Sequence, residues 1–174
     1  MGSKVKDFFY LRNSNALIFN TMKKSLAILA VLLCTSLGMF AQNPLNGKAD
    51  SILGEYLVPD PGNDSKVRFT KNPDGSYNCQ IFWLANNINP DNGQPWTDLR
   101  NPDKSLRNRR CDSIVIISNL KYDAARQVWN GAKIYDPNRG IKANVTCQFM
   151  PDGQLMLKGT VLGIGEKVYW KKLK

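Results

Sequence analysis

The sequence predicts an all-β protein, a small antiparallel up-and-down β-barrel of about eight strands, with a two-sheet β-sandwich as the alternative. Apolar and polar residues alternate over long stretches, which is typical of strands with one face in a core and one in water. Compact turn motifs separate these stretches, so successive strands pair as neighbours. Eight strands are enough to close a small barrel that has no free edge.

Residues 22–41 have the three parts of a secretory signal peptide. Lys23 and Lys24 precede an apolar run, 26–33, and small residues follow up to Ala41. The apolar run is too short to cross a bilayer of roughly 30 Å as a helix. We therefore expect export to the periplasm or the extracellular space, cleavage after Ala41 and no stable membrane insertion after the signal is removed.

This assignment divides the 174-residue chain into three parts. Residues 1–21 contain no second basic n-region, and we interpret them as an extension that results from a wrongly assigned start site or is otherwise artefactual. Residues 22–41 are the signal peptide. Residues 42–174 are expected to form a single β-barrel domain, of a size that buries one real core.

In chain order, the first strands are identified by short alternating faces. Val67 and Phe69 form one such face, and Tyr77, Cys79, Ile81 and Trp83 form the next. A turn at residues 73–75, Pro-Asp-Gly, lies between them, where proline presets φ and glycine accepts the left-handed conformation. The eight predicted strands lie near 52–58, 65–72, 76–84, 113–121, 127–135, 141–149, 154–162 and 166–173.

The fourth strand differs from the others because residues 114–117 are all apolar. Both of its faces are then apolar, and something should cover the outer one. The preceding connection, 85–112, is rich in Asn, Pro, Asp and Gly and is long for a loop of a compact domain, which often indicates function. We expect this loop to fold back over the neighbouring strand.

The last three strands alternate clearly. Ile141, Ala143, Val145, Cys147 and Phe149 share one face, and turns at 136–140 and 151–153 bound this strand. In the strands that follow, the inward residues are expected to be Leu155, Leu157, Gly159, Val161, Val168 and Trp170.

Composition restricts the chemistry. The chain has a formal net charge of +10 and no histidine, so His-based triads and ordinary zinc sites are excluded. In an exported protein we expect no nucleic acid partner. An excess of basic residues there favours solubility or contact with anionic lipid, glycan or carboxylate ligands. Cys79, Cys111 and Cys147 follow the signal, and their odd number leaves at least one thiol unpaired within the monomer.

Five motifs, in order along the chain, resemble the DUF2147 family of exported bacterial proteins. Residues 98–109, DLRNPDKSLRNR, resemble its first signature, and residues 129–137, WNGAKIYDP, its second. Residues 54–56 are similar to an opening G-x-W, and residues 157–159 and Trp170 to the last strands. The resemblance implies a small lipocalin-like barrel. It implies no catalytic residue, because the family has no assigned substrate.

The chain departs from the family pattern at two places. Tyr56 replaces the usual tryptophan, and Cys111-Asp112 stand where many members have an apolar pair. Both departures concern local packing more than the fold.

The long loop carries most of the candidate chemistry. Its cations are Arg100, Lys104, Arg107, Arg109 and Arg110. Guanidinium groups bind carboxylates and phosphates in a bidentate manner, so one interpretation is an anion-binding rim. The other is that they pair with Asp98, Asp103 and Asp112 and fix the loop to the barrel. A catalytic pair formed by two of these aspartates would be unusual among so many arginines.

We therefore expect a non-enzymatic protein without cofactor or metal, and two functions remain. The first is a carrier or sensor that binds a small apolar or amphipathic acidic ligand inside the barrel. The second is a structural or interaction module of the cell envelope. A filled barrel interior would favour the second. The sequence leaves the oligomeric state open, and the candidate ligand-binding residues are Trp83, Arg107, Arg109, Trp129, Tyr135 and Trp170.

Overall fold

Eight antiparallel strands follow one another around a closed barrel in sequence order. The computed structural model describes residues 43–174; the predicted extension, signal peptide and cleavage bond lie outside them and stay predictions. The predicted barrel is confirmed, and the sandwich alternative does not apply. The strands are β1 (Gly54–Val58), β2 (Ser65–Lys71), β3 (Tyr77–Leu84), β4 (Val115–Asp123), β5 (Val128–Asp136), β6 (Ile141–Phe149), β7 (Leu155–Val161) and β8 (Ile164–Lys172).

The barrel closes where β1 pairs with β8, through Tyr56 opposite Lys172 and Leu57 opposite Lys171. The Pro-Asp-Gly turns form as predicted: Asp74 accepts a hydrogen bond from the Ser76 amide at 2.9 Å, and Asp152 accepts one from the Gln154 amide at 3.0 Å. Because alternate connections of a meander share an end, the β2–β3, β4–β5 and β6–β7 turns lie together at one end. The other four connections lie at the opposite end.

A short N-terminal segment closes the first of these ends. It consists of two 3-10 helices, η1 (Pro44–Gly47) and η2 (Ala49–Ile52). The buried amide of Asn46 bonds the backbone of Phe149 in both directions, at 2.9 and 2.7 Å. The Trp129 indole donates to the Ala49 carbonyl at 2.9 Å. Ile52 is fully buried in the core, so this segment is a plug for the barrel.

Aromatic side chains fill the half of the barrel next to the plug. Tyr56 packs edge-on against Phe69, with ring centroids 5.6 Å apart, and Trp129 against Phe149 at 5.7 Å. Such edge-to-face pairs stabilise a core beyond the area they bury. Trp129 therefore belongs to the packed core and donates its only hydrogen bond to the plug.

The three cysteines of the described chain, Cys79, Cys111 and Cys147, are free. Cys79 and Cys147 are fully buried, on β3 and β6. Because β3 and β6 are not neighbouring strands of the barrel, strand pairing does not place these two residues opposite each other. Burial raises the pKa of both thiols well above the ordinary value.

The expectation that Trp83 continues the inward face of β3 is wrong. Lys66 pairs with Trp83 but Val67 pairs with Ile81, so β3 has one extra residue at this point. Such a bulge reverses the faces that follow it. Trp83 consequently lies on the outer surface, 39% exposed, with the Lys66 ammonium 4.5 Å from its ring centroid.

A second irregularity explains the apolar run of β4. Cys79 pairs with Ile117 and Gln80 with Val115, so Ile116 is the extra residue. Ile114, Ile116 and Ile117 are all buried, and only Val115 is substantially exposed, at 39%. The expected cover over the outer face of β4 is therefore largely unnecessary. The β3–β4 loop makes its buried contacts with β5 instead, as described below.

Candidate ligand cavity at the open end of the barrel

The half of the barrel opposite the plug contains a cavity of about 1170 Å³. Its wall is made by aliphatic side chains from most of the strands, and Trp170 forms part of its floor, next to the aromatic core. The aliphatic wall residues include Val67, Ile81, Leu84, Ile116, Ile134 and Leu157.

Strand pairing explains why these side chains face the cavity. Residues directly opposite each other in a sheet share a face, and Ile134 lies opposite Ile117, which is fully buried. Leu157 lies opposite Val168 in the same way. The bulge in β3 that turns Trp83 outward also turns Leu84, its neighbour, toward the cavity. The inward faces of the strands thus form the packed core near the plug, where aromatic side chains fill the interior. Toward the other end, the same faces form the cavity wall.

Charged side chains surround the mouth of the cavity. Arg139 is central to them, because its guanidinium lies 3.1 Å from the Glu166 carboxylate and 3.4 Å from that of Asp136. Arg100 donates to the Asn138 carbonyl at 2.7 Å. Four carboxylates and two guanidinium groups line the cavity, so the mouth has an excess of negative charge: Asp60, Asp91, Asp136, Glu166, Arg100 and Arg139.

The β3–β4 loop is fixed to the barrel beside the mouth by the buried carboxylate of Asp98. This side chain is 1% exposed and accepts hydrogen bonds from the Tyr135 hydroxyl at 2.6 Å, from Asn101 at 2.7 Å and from Arg109 at 2.9 Å. Each oxygen therefore has a partner, which offsets the cost of burying the charge. Burial and the bond to Asp98 raise the pKa of Tyr135, so the phenol stays protonated as the donor.

A glycine allows the close approach of this loop to the β5–β6 turn. Gly140 has a φ of +70°, and a Cβ atom there would lie 2.1 Å from the Arg100 carbonyl oxygen. Any side chain at this position would displace the loop from the barrel. The backbone of the turn is itself held by the bond from the Gly140 amide to the Asp136 carbonyl at 2.8 Å.

The predicted anion-binding rim is not formed by Arg107 and Arg109. Arg109 pairs with buried Asp98, and Arg107 donates through Nε to the Asn101 carbonyl at 2.8 Å. Neither lines the cavity. The alternative, in which the arginines pair with acids of the loop, describes Arg109, whereas Arg107 bonds a backbone carbonyl of the loop instead. Arg110 likewise pairs with Asp112, whose pKa is lowered chiefly by this contact.

Of the six candidate residues, the structure places two at the cavity, Tyr135 and Trp170. Trp83 lies outside, and Trp129 lies in the core. The analysis of the sequence missed Arg139 and Glu166. Glu166 had a signal, because it precedes Val168 by two residues and so shares its predicted inward face.

Two buried indole N–H groups at the cavity, those of Trp96 and Trp170, have no hydrogen-bond partner among residues 43–174. Cys111 also lines the cavity, and burial, followed by the charge of Asp98, raises the pKa of its thiol to about 11. Between residues 43 and 174 no group of three acidic or cysteine side chains is placed to hold a metal ion. None of the helices in this part of the chain has the length and apolar character needed to span a bilayer.

Comparisons with known proteins agree with the architecture. The model of a family described as "Uncharacterized protein conserved in bacteria (DUF2147)" matches residues 54–172. No curated protein sequence matches the chain. Among solved structures, the chain is similar to a Helicobacter pylori protein, HP1028, described as belonging to the lipocalin family. The TM-score is 0.57 at 23% identity, over 71% of this chain and 83% of that one, a likeness that concerns the fold.

Proposed function

The chain belongs to the DUF2147 family of bacterial proteins, and from this premise we propose that it is a non-enzymatic binding protein that holds a small, mostly apolar molecule in its lipocalin-like barrel. One observation carries the proposal, the cavity of about 1170 Å³ with an aliphatic wall. Pockets for small ligands typically enclose roughly 300–1000 Å³, so this space, slightly above that range, is large enough for a ligand of ordinary size. The structural module that the sequence left as an alternative requires no such space.

The cavity wall favours an extended apolar ligand. Burying a tail of about ten methylenes contributes up to roughly 8 kcal/mol at about 0.8 kcal/mol each, before the cost of ordering the ligand. The aromatic floor at Trp170 limits how deep such a tail reaches. The ligand's other end then lies at the charged mouth.

The charges at the mouth favour a ligand whose polar end is uncharged or cationic. The acidic head group expected from the sequence depended on Arg107 and Arg109, which are engaged in the loop. Arg139 is already paired with Glu166 and Asp136. An acidic head would meet four carboxylates against two guanidinium groups, those of Arg100 and Arg139, whereas an ammonium or hydroxyl group would find an excess of acceptors there.

The proposed setting is the cell envelope or the exterior. The support for it is the pattern of basic start, apolar run and small residues within 22–41. A binding protein in this compartment would carry or sense a molecule of low solubility.

The test is a titration with three probes of equal chain length, dodecanol, dodecylamine and dodecanoic acid, each kept below its micelle concentration. Calorimetry on the parent protein should detect binding, with the alcohol and the amine bound more tightly than the acid. Ala143→Trp places an indole in part of the cavity and should weaken binding by about tenfold, equal to about 1.4 kcal/mol.

Asn144→Trp is the matched control, because Asn144 is the next residue of β6 and faces outward. It should bind the probes as the parent does. If the parent binds none of the probes and carries no small molecule in native mass spectrometry, the proposal fails and the structural module remains. If the acid binds most tightly, only the assignment of the polar end is wrong.

A further inference from the structure

The β7–β8 turn presents an isolated apolar tip. Val161 pairs with Ile164, and the two residues between them, Leu162 and Gly163, have φ values of +47° and +85°. Positive φ at both central positions is the requirement of a type I′ hairpin turn, for which asparagine followed by glycine is favoured. Leucine is poorly suited to this conformation, yet it is 99% exposed, and Ile164 is 83% exposed. Neither side chain gains burial against residues 43–174.

The tip lies at the mouth of the cavity. The β7–β8 turn shares its end of the barrel with the β1–β2, β3–β4 and β5–β6 connections, and β8 leads from the tip through Glu166 and Val168 along the cavity wall. Whatever contacts the tip is therefore next to the entrance that a ligand must use.

A band of lysines lies behind the tip on the outer face of β5–β8. Lys158 and Lys167 are directly opposite each other, a like-charge pair that destabilises a sheet. Lys158 is three residues from Val161, and Lys167 is three residues from Ile164, which is roughly 10 Å along a strand. Exposed lysines of this band form no ion pair within residues 43–174: Lys133, Lys142, Lys158 and Lys167.

We propose that the β7–β8 tip docks on an anionic lipid bilayer. Leu162 and Ile164 enter the outer part of the acyl region, and the lysines lie at the level of the head groups. Interfacial segments bury apolar side chains by roughly 5–10 Å, which matches the distance from the tip to the lysines. The lysines gain from negative surface potential, which acts over about a Debye length.

The shape of the tip favours a bilayer over a folded protein as the partner. A protein interface requires a complementary surface of several hundred Å² on each side, whereas a few protruding side chains suffice for a lipid surface. Of the four carboxylates at the mouth, Asp136 and Glu166 are paired with Arg139. Asp60 and Asp91 belong to the β1–β2 turn and the β3–β4 loop, so the barrel approaches with its β7–β8 side. This inference does not depend on the ligand proposed above.

The experiment is co-sedimentation of the purified chain with vesicles of phosphatidylcholine containing about one-third phosphatidylglycerol, and with vesicles of phosphatidylcholine alone. All variants share one N-terminus, verified by intact mass. The parent should bind the anionic vesicles and bind the neutral ones far less. Leu162→Asn should weaken binding by about tenfold. Because Asn-Gly suits the turn, this variant should keep or raise the melting temperature, so a loss of binding is not a loss of fold.

The charge variant is Lys158→Gln with Lys167→Gln, which should weaken binding to anionic vesicles by about tenfold or more. Its matched control is Lys48→Gln with Lys121→Gln, two exposed lysines at the plugged end, which should bind as the parent. Equal binding of neutral and anionic vesicles would overturn the proposal, as would full binding by Leu162→Asn. Dimers that form without lipid and disappear in Leu162→Asn would show that the tip contacts a second copy of the chain instead.

Discussion

The Tyr135 hydroxyl donates a hydrogen bond to the buried carboxylate of Asp98 at 2.6 Å, and this bond joins the β3–β4 loop to the end of β5. Asn101 and Arg109 donate to the other oxygen of the same carboxylate. Because the side chain is fully enclosed, these contacts replace its hydration. The loop beside the cavity mouth is thus held mainly by one acid and its three donors.

Asp98→Ala should lower the free energy of unfolding by about 3 kcal/mol, because it leaves the three donors without their acceptor. Tyr135→Phe removes one of the bonds and should cost about 1–2 kcal/mol. Urea unfolding followed by circular dichroism measures both. Asp91→Ala is the control: Asp91 is exposed, and its carboxylate accepts no hydrogen bond within residues 43–174, so a change below about 0.5 kcal/mol is expected. Equal effects of Asp91→Ala and Asp98→Ala would contradict this account.

Arg109→Ala should lower stability by about 2–4 kcal/mol, since the buried carboxylate of Asp98 loses its cation. Arg107→Ala should cost about 1 kcal/mol through the lost bond to the Asn101 carbonyl. Neither change should alter the affinity of the folded protein for an apolar probe. Lys104→Ala, in the same loop, should be neutral in both assays. Weaker binding of dodecanoic acid at unchanged stability, with dodecanol bound as before, would restore the anion-binding rim that the sequence suggested.

The barrel could be predicted from the sequence because the patterns that indicate it lie within short segments of the chain. Alternation along residues 141–149 specifies which side chains face inward, and the Pro-Asp-Gly turns specify which strands are neighbours. The core positions of β6 follow directly: Val145, Cys147 and Phe149 are buried as the alternation predicts.

The positions of the β-bulges could not be predicted from the sequence, and they changed which residues form the candidate site. A bulge adds one residue to a strand, and no residue type in the sequence indicates where. The alternation of β3 therefore predicted an inward Trp83, whereas the alternation is interrupted after Ile81. The pairing of Arg109 with Asp98 was one of two interpretations of the loop, and periodicity could not decide between them because the loop is irregular. The plug formed by residues 43–52 depends on contacts with Phe149 and Trp129 that are distant in the chain.

Processing after Ala41 remains a prediction, and intact mass spectrometry of protein recovered from the cell envelope tests it. The mass should correspond to a chain that begins at Gln42, because the signal pattern of residues 22–41 ends at the small residue Ala41. Ala41→Tyr should block or displace the cut, whereas Ala41→Ser should be tolerated. A cut at this bond leaves Asn43 and Asn46, which hold the plug to the barrel, in the product. Recovery of the envelope protein with residues 22–41 still attached would show that export does not proceed in this way.

The last prediction uses Cys111 as a reporter of the cavity. Its thiol is partly buried at the cavity wall and has a pKa raised to about 11, so at pH 8 it should react with iodoacetamide much more slowly than an unfolded thiol. Labelling should accelerate as the pH approaches 11. Cys79 and Cys147 are fully buried and should be labelled only after unfolding.

The raised pKa of Cys111 makes the stability of the fold depend on pH in a definite direction. The folded state holds the Cys111 proton more tightly than an unfolded thiol with the ordinary pKa of 9.0, so its contribution to stability is complete below pH 9 and is lost as the pH rises toward 11. Cys111→Ser should reduce this part of the pH dependence. A bound apolar probe should also protect Cys111 from labelling at pH 9, while Ala143→Trp should remove the protection by the probe. Peptide mapping measures each site, and rapid labelling of Cys79 under native conditions would contradict the packed core that separates it from the cavity.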